Sequence, residues 1–344
     1  MATRSVVRGL RRQDLTWGYA FLAPALIILT VFLVVPIVMA LWVSFREWTG
    51  LQPLGESTFV GLANYRAILL DDTVRRTDFA RAIRNTLYYV LTVVPLQTIL
   101  ALSLAVIVNQ PRLPGRSFFR TAYYFPAISS SVAISLIFLF LYQKGGLINY
   151  ILTLITLGHW SNPDWLTNSN GTIHNLLGIF GITANSVPAL ADAQFMGLSL
   201  WEWISGPSVA MTSIIMLNIW TTIGTMMLIF LAALQDIPTF VYEAAALDGA
   251  SAWQMFTKIT VPLLRPTTFF VVTIGLIGTF QVFDQIFVMA PGERTTLSLA
   301  YMVYRTAFRN ASMGEGTAIA FLLFIIIFAF TLLQRRLTSD RATD

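Results

Sequence analysis

A polar stretch with an alanine-rich centre separates two long apolar segments of the chain. It runs from Gln235 to Pro266 and reads QDIPTFVYEAAALDGASAWQMFTKITVPLLRP. Because alanine has the highest helix propensity of the amino acids, the portion Tyr242–Leu247 is predicted to be helical. Pro238 marks the start of this helix, and the hydroxyl of Thr239 is a candidate cap.

On this helix, side chains that lie one turn apart form a small and smooth face, which a second protein surface can approach closely. The face contains Tyr242, Ala245, Ala246 and Gly249. Glu243 lies off this face and is free for a cation or a backbone amide of a partner. The alternative is a surface helix that only connects two membrane spans.

The composition of the chain indicates a membrane protein. Of its 344 residues, 56% are apolar and 11% are charged, whereas soluble domains contain about 25% charged residues. The mean hydropathy is +0.69. These values exclude an ordinary soluble enzyme, a disordered chain, a collagen and a coiled coil. The sequence contains no cysteine, which excludes disulfides, thiolate catalysis and zinc–sulfur sites.

Six apolar stretches have about the 20 residues that a helix needs to cross a membrane. They are Trp17–Phe45, Thr86–Val108, Ala122–Tyr142, Val209–Leu234, Thr267–Ala290 and Ala318–Leu333. Helices are expected because lipid offers no partner to an open backbone. The predicted fold is therefore an all-α membrane domain over residues 17–334, with an N-terminal segment 1–16 and a tail 335–344.

Two shorter apolar stretches and several prolines complicate this assignment. Gly146–Leu157 and Ile173–Ile182 are too short to span, so we expect them to lie at the interface or against the bundle. If one of them spanned alone, every later loop would change sides. The prolines within the spans, such as Pro126, are interpreted as tolerated kinks.

The distribution of basic residues predicts which loops face the cytoplasm. The net charge is +5 and the basic residues lie between apolar runs, which favours a role in membrane topology over nucleic-acid binding. Both termini and the loops 109–121 and 235–266 hold 12 of the 22 Lys and Arg residues and are placed inside. The first outer loop opposes this placement because it contains Arg66, Arg75, Arg76, Arg81 and Arg84, which Asp71, Asp72 and Asp78 balance in part.

The order of residues in the stretch 235–266 resembles a known signature. Glu243-Ala244-Ala245 is followed after three residues by Gly249, after nine more by Ile259, and then by Pro262. This pattern is similar to the EAA loop of permease subunits of binding-protein-dependent ABC importers. The chain departs from it once, with Val261 where the family has Leu.

Further segments extend this resemblance over about residues 17–334. Asn85-Thr86-Leu87, Phe230–Pro238 and Gln281–Asp284 are similar to segments of carbohydrate and glycerol-phosphate permeases, on the side of the first of their two permease subunits. Two regions depart from that group. Ala290–Arg294 replaces a glycine-rich turn, and the loop around His174–Leu200 is longer than usual.

The resemblance implies a type I ABC importer permease-like bundle with a cytoplasmic coupling helix, in a bacterial-type cell membrane. The residues that would couple to the ATPase are Glu243, Ala244, Ala245, Gly249, Ile259 and Pro262. The implied partners are a second homologous permease subunit, two copies of a cytoplasmic ATPase and an extracytoplasmic solute-binding protein. The sequence has no GxxxxGK[ST] phosphate loop, so ATP and Mg are expected on the ATPase and no cofactor on this chain. Gly249 has a second interpretation, as a residue that only ends the helix.

Polar residues inside two spans are candidates for the lining of a solute path. The fifth span contains Gln281, Asp284 and Gln285, of which the first two are expected to share a helical face. The fourth contains Asn218, Trp220 and Thr221. A sugar, the expected di- or oligosaccharide substrate, needs hydrogen-bond partners and an aromatic surface. The alternative is hydrogen bonding between packed spans.

Other functions have weaker support in the sequence. A secondary transporter or channel would show inverted repeats and more ionisable groups within the spans. A lipid-modifying enzyme would need clustered catalytic or metal-binding groups, whereas both histidines, His159 and His174, fall in the long outer loop. No catalytic or metal site is predicted. Arg305 and Arg309 stand one helical turn apart outside the fifth span, where a solvated face is expected and contact with acids of the solute-binding protein is the alternative.

Overall fold

The computed structural model describes residues 17–110, 112–290 and 294–339, and these residues are mainly helical. The helices of six or more residues are α1 (Trp17–Ser44), α2 (Ala63–Leu69), α3 (Val74–Asn109), α4 (Arg116–Ile128), α5 (Ser131–Leu141), α6 (Leu147–Ile155), α7 (Thr172–Ile179), α8 (Val209–Gln235), α9 (Thr239–Leu247), α10 (Arg265–Phe280), α11 (Asp284–Met289), α12 (Leu299–Tyr304) and α13 (Met313–Ser339).

Shorter elements connect these helices. Two antiparallel strand pairs are formed by β1 (Arg46–Glu47) with β2 (Thr58–Phe59), and by β3 (Gln194–Phe195) with β4 (Leu198–Ser199). Single helical turns cover Pro188–Asp192, Leu200–Trp203, Ala252–Met255 and Val261–Leu263. A π-helical turn at Arg305–Arg309 continues α12.

Five helical segments of the described chain are long and apolar enough to cross a membrane: Trp17–Ser44, Val74–Asn109, Val209–Gln235, Arg265–Met289 and Met313–Arg336. They match five of the six expected spans. The helix α3 starts at Val74, twelve residues before the expected span. The arginines from Arg75 to Arg84 therefore lie on a helix that extends beyond the apolar segment, and not in a loop as the sequence suggested.

The third expected span, Ala122–Tyr142, is not one continuous helix. It consists of α4 and α5, which meet at an angle of 96°. Pro126 has no amide hydrogen to donate to the carbonyl of Ala122, which weakens the last turn of α4. The helix ends two residues later at Ile128, and the next residue, Ser129, is extended. The hydroxyl of Ser130 then caps α5 by accepting from the amide of Ala133. Pro126 thus belongs to a break, where the sequence predicted a tolerated kink.

The helices α3 and α8 form the centre of the bundle and pack against each other along their length. Their shared core contains Tyr89 and Met211, both fully buried. The helix α4 crosses α8 at Gly224, where a Cβ atom would collide with the backbone of Tyr123. Glycine is needed here because any larger residue would force these two backbones apart.

The end of α1 and the residues that follow it are held by α2 and by the start of α13. In α2, the Asn64 side-chain amide donates to the carbonyl oxygens of Ser44 and Arg46 over 2.9 and 3.0 Å. At the start of α13, the Gly314 amide donates to the carbonyl of Trp48 over 3.2 Å. Over the rest of α1, only 6% of the most apolar window is buried.

Between α5 and α8, the chain forms a folded region with two short amphipathic helices. α6 has nine residues and α7 has eight, so neither can span a membrane, in line with the expectation for their segments. The side chain of Asn149 in α6 is buried at the centre of this region. It accepts hydrogen bonds from the indoles of Trp160 and Trp165 over 2.9 Å each.

Candidate functional site

The stretch that resembles an EAA loop folds as a helix that projects from the end of α8. Pro238 precedes α9 with an extended backbone, and the helix runs from Thr239 to Leu247, which includes the predicted portion Tyr242–Leu247. The hydroxyls of Tyr242 and Thr260 lie 3.0 Å apart in a hydrogen bond. This bond fixes α9 against the segment that returns to the bundle.

Gly249 ends α9 in a left-handed conformation, with φ at +76°. The amide of Ala250 donates to the carbonyl of Ala245, and the amide of Gly249 donates to that of Ala246, over 3.0 and 3.1 Å. These two bonds define a Schellman cap, in which glycine avoids the strain of a Cβ atom. A Cβ atom on Gly249 would meet nothing within 4 Å in this chain. The backbone of Gly249 therefore requires glycine, which agrees with the second interpretation given above, and the part that Gly249 plays in coupling stays a prediction.

The exposed surface of this segment includes three large apolar side chains. Phe240, Leu247 and Trp253 are 66%, 90% and 71% exposed. Glu243 and Ala244 are also exposed, whereas Ala245, Ile259 and Pro262 are half-buried. Within the described chain, Glu243 makes no side-chain hydrogen bond or ion pair. Large apolar side chains that are exposed together mark a contact surface.

A second feature is a cavity of about 280 Å³ at the break between α4 and α5. Its polar lining is Ser129, Ser131, Ser135, Thr221, Thr222, Thr225 and Gln285, and Leu217 and Met226 add apolar surface. The amide of Gln285 donates to the hydroxyl of Ser131 over 3.3 Å. Hydroxyl and amide groups beside apolar surface can bind the hydroxyls and the ring faces of a saccharide.

Two of the six candidate path residues, Thr221 and Gln285, line this cavity. Asn218 is buried and does not line the cavity, and the ring of Trp220 packs against Phe138 with centroids 5.4 Å apart. The side-chain oxygen of Asn218 has no hydrogen-bond partner within the described part of the chain.

The remaining two candidates, Gln281 and Asp284, are both exposed and do not line the cavity. The helix breaks between them, because α10 ends at Phe280 and α11 begins at Asp284. The expectation that these two side chains share one helical face was therefore wrong. A single apolar run in the sequence did not reveal this break.

The sequence analysis also missed a buried polar link beside the cavity. The hydroxyl of Thr222 donates to the Oε1 atom of Gln97 in α3 over 2.9 Å. The Gln97 side chain fits here because residue 275 in α10 is glycine. A Cβ atom on Gly275 would collide with the side-chain amide nitrogen of Gln97. A glutamine inside an apolar span was a signal that could have identified this residue.

Two arginines of this region pair with acids that were expected to balance them, Arg66 in α2 and Arg76 in α3. Arg66 contacts Asp71 at 3.1 Å, and Arg76 contacts Asp72 at 2.6 Å. Arg305 forms an ion pair with the buried Asp78 at 2.8 Å. The expectation of a solvated face was therefore wrong for Arg305, although Arg309 is exposed. Among the described residues, no group of three His, Cys, Asp or Glu could hold a metal ion.

A bundle of apolar helices, a partly open cavity with hydroxyl, amide and apolar groups in its lining, and an exposed helical projection are the features expected of a membrane permease. The family model for the binding-protein-dependent transport system inner membrane component matches residues 154–341. The chain belongs to this family and is a permease subunit of an ABC importer.

Curated relatives align over nearly the whole chain. The multiple sugar-binding transport system permease protein MsmF of Streptococcus mutans is 31% identical, over 94% of this chain and 95% of its own length. The probable ABC transporter permease protein YurN of Bacillus subtilis is 30% identical, over 92% of this chain and 94% of its own length. The lactose transport system permease protein LacF of Rhizobium radiobacter is 29% identical, with 97% of both chains covered.

Solved structures share the fold. A chain of a bacterial ABC transporter involved in the import of the acidic polysaccharide alginate superposes with a TM-score of 0.71 at 23% identity, over 99% of this chain and 100% of that chain. A chain of the alginate transporter in complex with its pentasaccharide-bound periplasmic protein gives 0.72 at 22% identity, over 96% of both chains. The arrangement of helices is thus that of an ABC importer permease.

Proposed function

We propose that this chain and a second homologous permease subunit enclose the path by which a di- or oligosaccharide crosses a bacterial cell membrane. Two copies of a separate ATPase subunit, which bind ATP and Mg, would drive the transport. The names of the relatives MsmF and LacF support a sugar as the solute. The family description supports delivery of the solute by a binding protein.

The observation that carries this proposal is the exposed apolar surface of α9 and the turn that follows it. Phe240, Leu247 and Trp253 would be covered by the ATPase, and Glu243 would accept hydrogen bonds at the edge of the contact. Because Tyr242 ties α9 to the returning segment through Thr260, a movement of α9 would be transmitted to α10. This is the mechanical requirement for coupling ATP hydrolysis to the bundle.

The cavity at the α4–α5 break is the proposed part of the solute path in this subunit. Its hydroxyl and amide groups come from three different helices, α5, α8 and α11. A change in the positions of these helices would therefore alter the affinity for a saccharide, as alternating access requires.

The proposed topology places both termini and α9 in the cytoplasm. The distribution of Lys and Arg supports it, and so does the pairing of Arg66 and Arg76 with acids at the opposite end. The solute-binding protein would approach that opposite end, where the folded region between α5 and α8 lies.

The test is co-purification of the tagged chain from its native membrane in mild detergent. We expect a second permease and an ATPase to be recovered with the wild type, and the ATPase to be lost with Glu243→Arg. Asp192→Arg is the matched control because it makes the same charge change at an exposed acid far from α9 along the chain. Recovery of the chain alone, with solute transport in vesicles that contain no ATP, would contradict the proposal and indicate a secondary transporter.

A further inference from the structure

A second polar cleft lies at the end of α3 that carries Asp78. Its volume is about 340 Å³, and α3, the start of α7 and the segment before α8 contribute to its walls. Three arginines, Arg81, Arg84 and Arg294, line it. Asn170 and Asn175 add neutral amide groups.

A single carboxylate, that of Asp78, is shared by Arg81, Arg294 and Arg305 and cannot neutralise all three. The Oδ2 atom of Asp78 accepts a hydrogen bond from Arg305 over 2.8 Å. Its Oδ1 atom lies 3.4 Å from Arg81 and 3.8 Å from Arg294. Charge-assisted hydrogen bonds have lengths of about 2.7–2.9 Å, so both contacts are long and leave guanidinium donors for a ligand.

Arg84 is also not paired with an acid. Its guanidinium donates to the neutral carbonyl oxygen of Glu202 over 3.1 Å and to the amide oxygen of Asn85. The carboxylate of Glu202 accepts from the amide of Ser199 over 2.9 Å and caps a helical turn. With three arginines and one acid in its described lining, the cleft has a formal excess of two positive charges.

We propose that this cleft binds a carboxylate group. The planar guanidinium fork matches the two oxygens of a carboxylate. Arg294 is 61% exposed at its side chain and can turn towards a ligand, while Arg81 lies on α3 with its side chain 24% exposed. Two sources carry this chemistry: an acidic sugar unit of the solute, and an acidic side chain of the solute-binding protein.

The experiment is calorimetric titration of the full chain in detergent at low ionic strength, with sodium glucuronate and with glucose as the neutral probe. We expect glucuronate to bind the wild type and to bind Arg294→Gln at least tenfold more weakly. Arg309→Gln is the matched control because it removes the same charge from an exposed position, and it should bind like the wild type. Circular dichroism verifies that each variant is folded.

Two additional titrations identify the source of the carboxylate. Glucuronate that binds at least tenfold more tightly than acetate would support a sugar-borne carboxylate. Displacement of the solute-binding protein by either anion would support an acidic side chain of that protein. The inference is overturned if the folded wild type binds glucuronate no better than glucose, or if Arg294→Gln retains the wild-type affinity. Because binding is measured on the isolated chain, this result does not depend on coupling to an ATPase.

Discussion

The Nη2 atom of Arg305 lies 2.8 Å from the Oδ2 atom of Asp78, a residue 227 positions earlier in the chain. This ion pair connects the π-helical turn after α12 with the N-terminal end of α3. Asp78 is 7% exposed, so the pair is largely shielded from water. It fixes the relative positions of two helices that the sequence separates widely.

Replacement of Asp78 by Asn should destabilise the chain by about 3 kcal/mol, because a nearly buried Arg305 would lose its counter-ion. Thermal unfolding in detergent measures this effect. Asp72→Asn is the control, since the Asp72 side chain is 89% exposed in its pair with Arg76 and exposed pairs contribute at most about 1 kcal/mol. Equal losses in the two variants would contradict the importance of the Asp78–Arg305 pair.

Substitutions of Gly249 should separate its two interpretations. Gly249→Ala is expected to destabilise the end of α9 by about 1 kcal/mol, because alanine is strained in the left-handed region. Gly249→Asn tolerates that conformation but adds a side chain. If ATP-dependent uptake survives Gly249→Asn, the glycine only caps the helix, and if uptake is lost, a partner packs closely there. Gly178→Ala should leave uptake unchanged, because Gly178 is the second-to-last residue of α7 and a Cβ atom there would meet nothing within 4 Å.

Gln285→Leu should raise the KM for transport about tenfold, because one hydrogen-bond donor facing the cavity is lost. Asp284→Leu is the neighbouring comparison, since Asp284 does not line the cavity in this chain. The measurement is the concentration dependence of uptake at equal amounts of assembled transporter. If KM changes with Asp284→Leu and not with Gln285→Leu, the solute path does not pass the cavity at the α4–α5 break.

Acid should weaken the region around His174. Burial is the largest effect and lowers the pKa of His174. The hydrogen bond to the Trp201 carbonyl raises this pKa, the charge of Arg84 lowers it, and the charge of Glu202 raises it. Because the folded pKa lies below the usual value of about 6.5, the unfolded chain takes up the proton more readily. Stability should therefore fall as the pH decreases below about 6.5. Unfolding scans from pH 8 to 5 should show a smaller decrease for His174→Gln than for His159→Gln.

Local patterns predicted the elements that depend on local chemistry. The helix α9 followed from its alanines and from Pro238 and Gly249, and five spans followed from apolar length. The breaks at Ser129 and at residues 281–283 were missed because an apolar run has the same composition whether its helix is straight or broken. The pairs Asp78–Arg305 and Gln97–Thr222 were missed because they join residues 227 and 125 positions apart.

The contacts around the turn after α1 make this turn dependent on a distant part of the chain. The carbonyl of Trp48 receives its hydrogen bond from the amide of Gly314, 266 positions later. Because a contact between residues so far apart in sequence forms late in folding, the turn after α1 lacks it until α13 packs against the bundle. A change in the position of α13 would therefore shift the turn after α1, although the sequence separates the two widely.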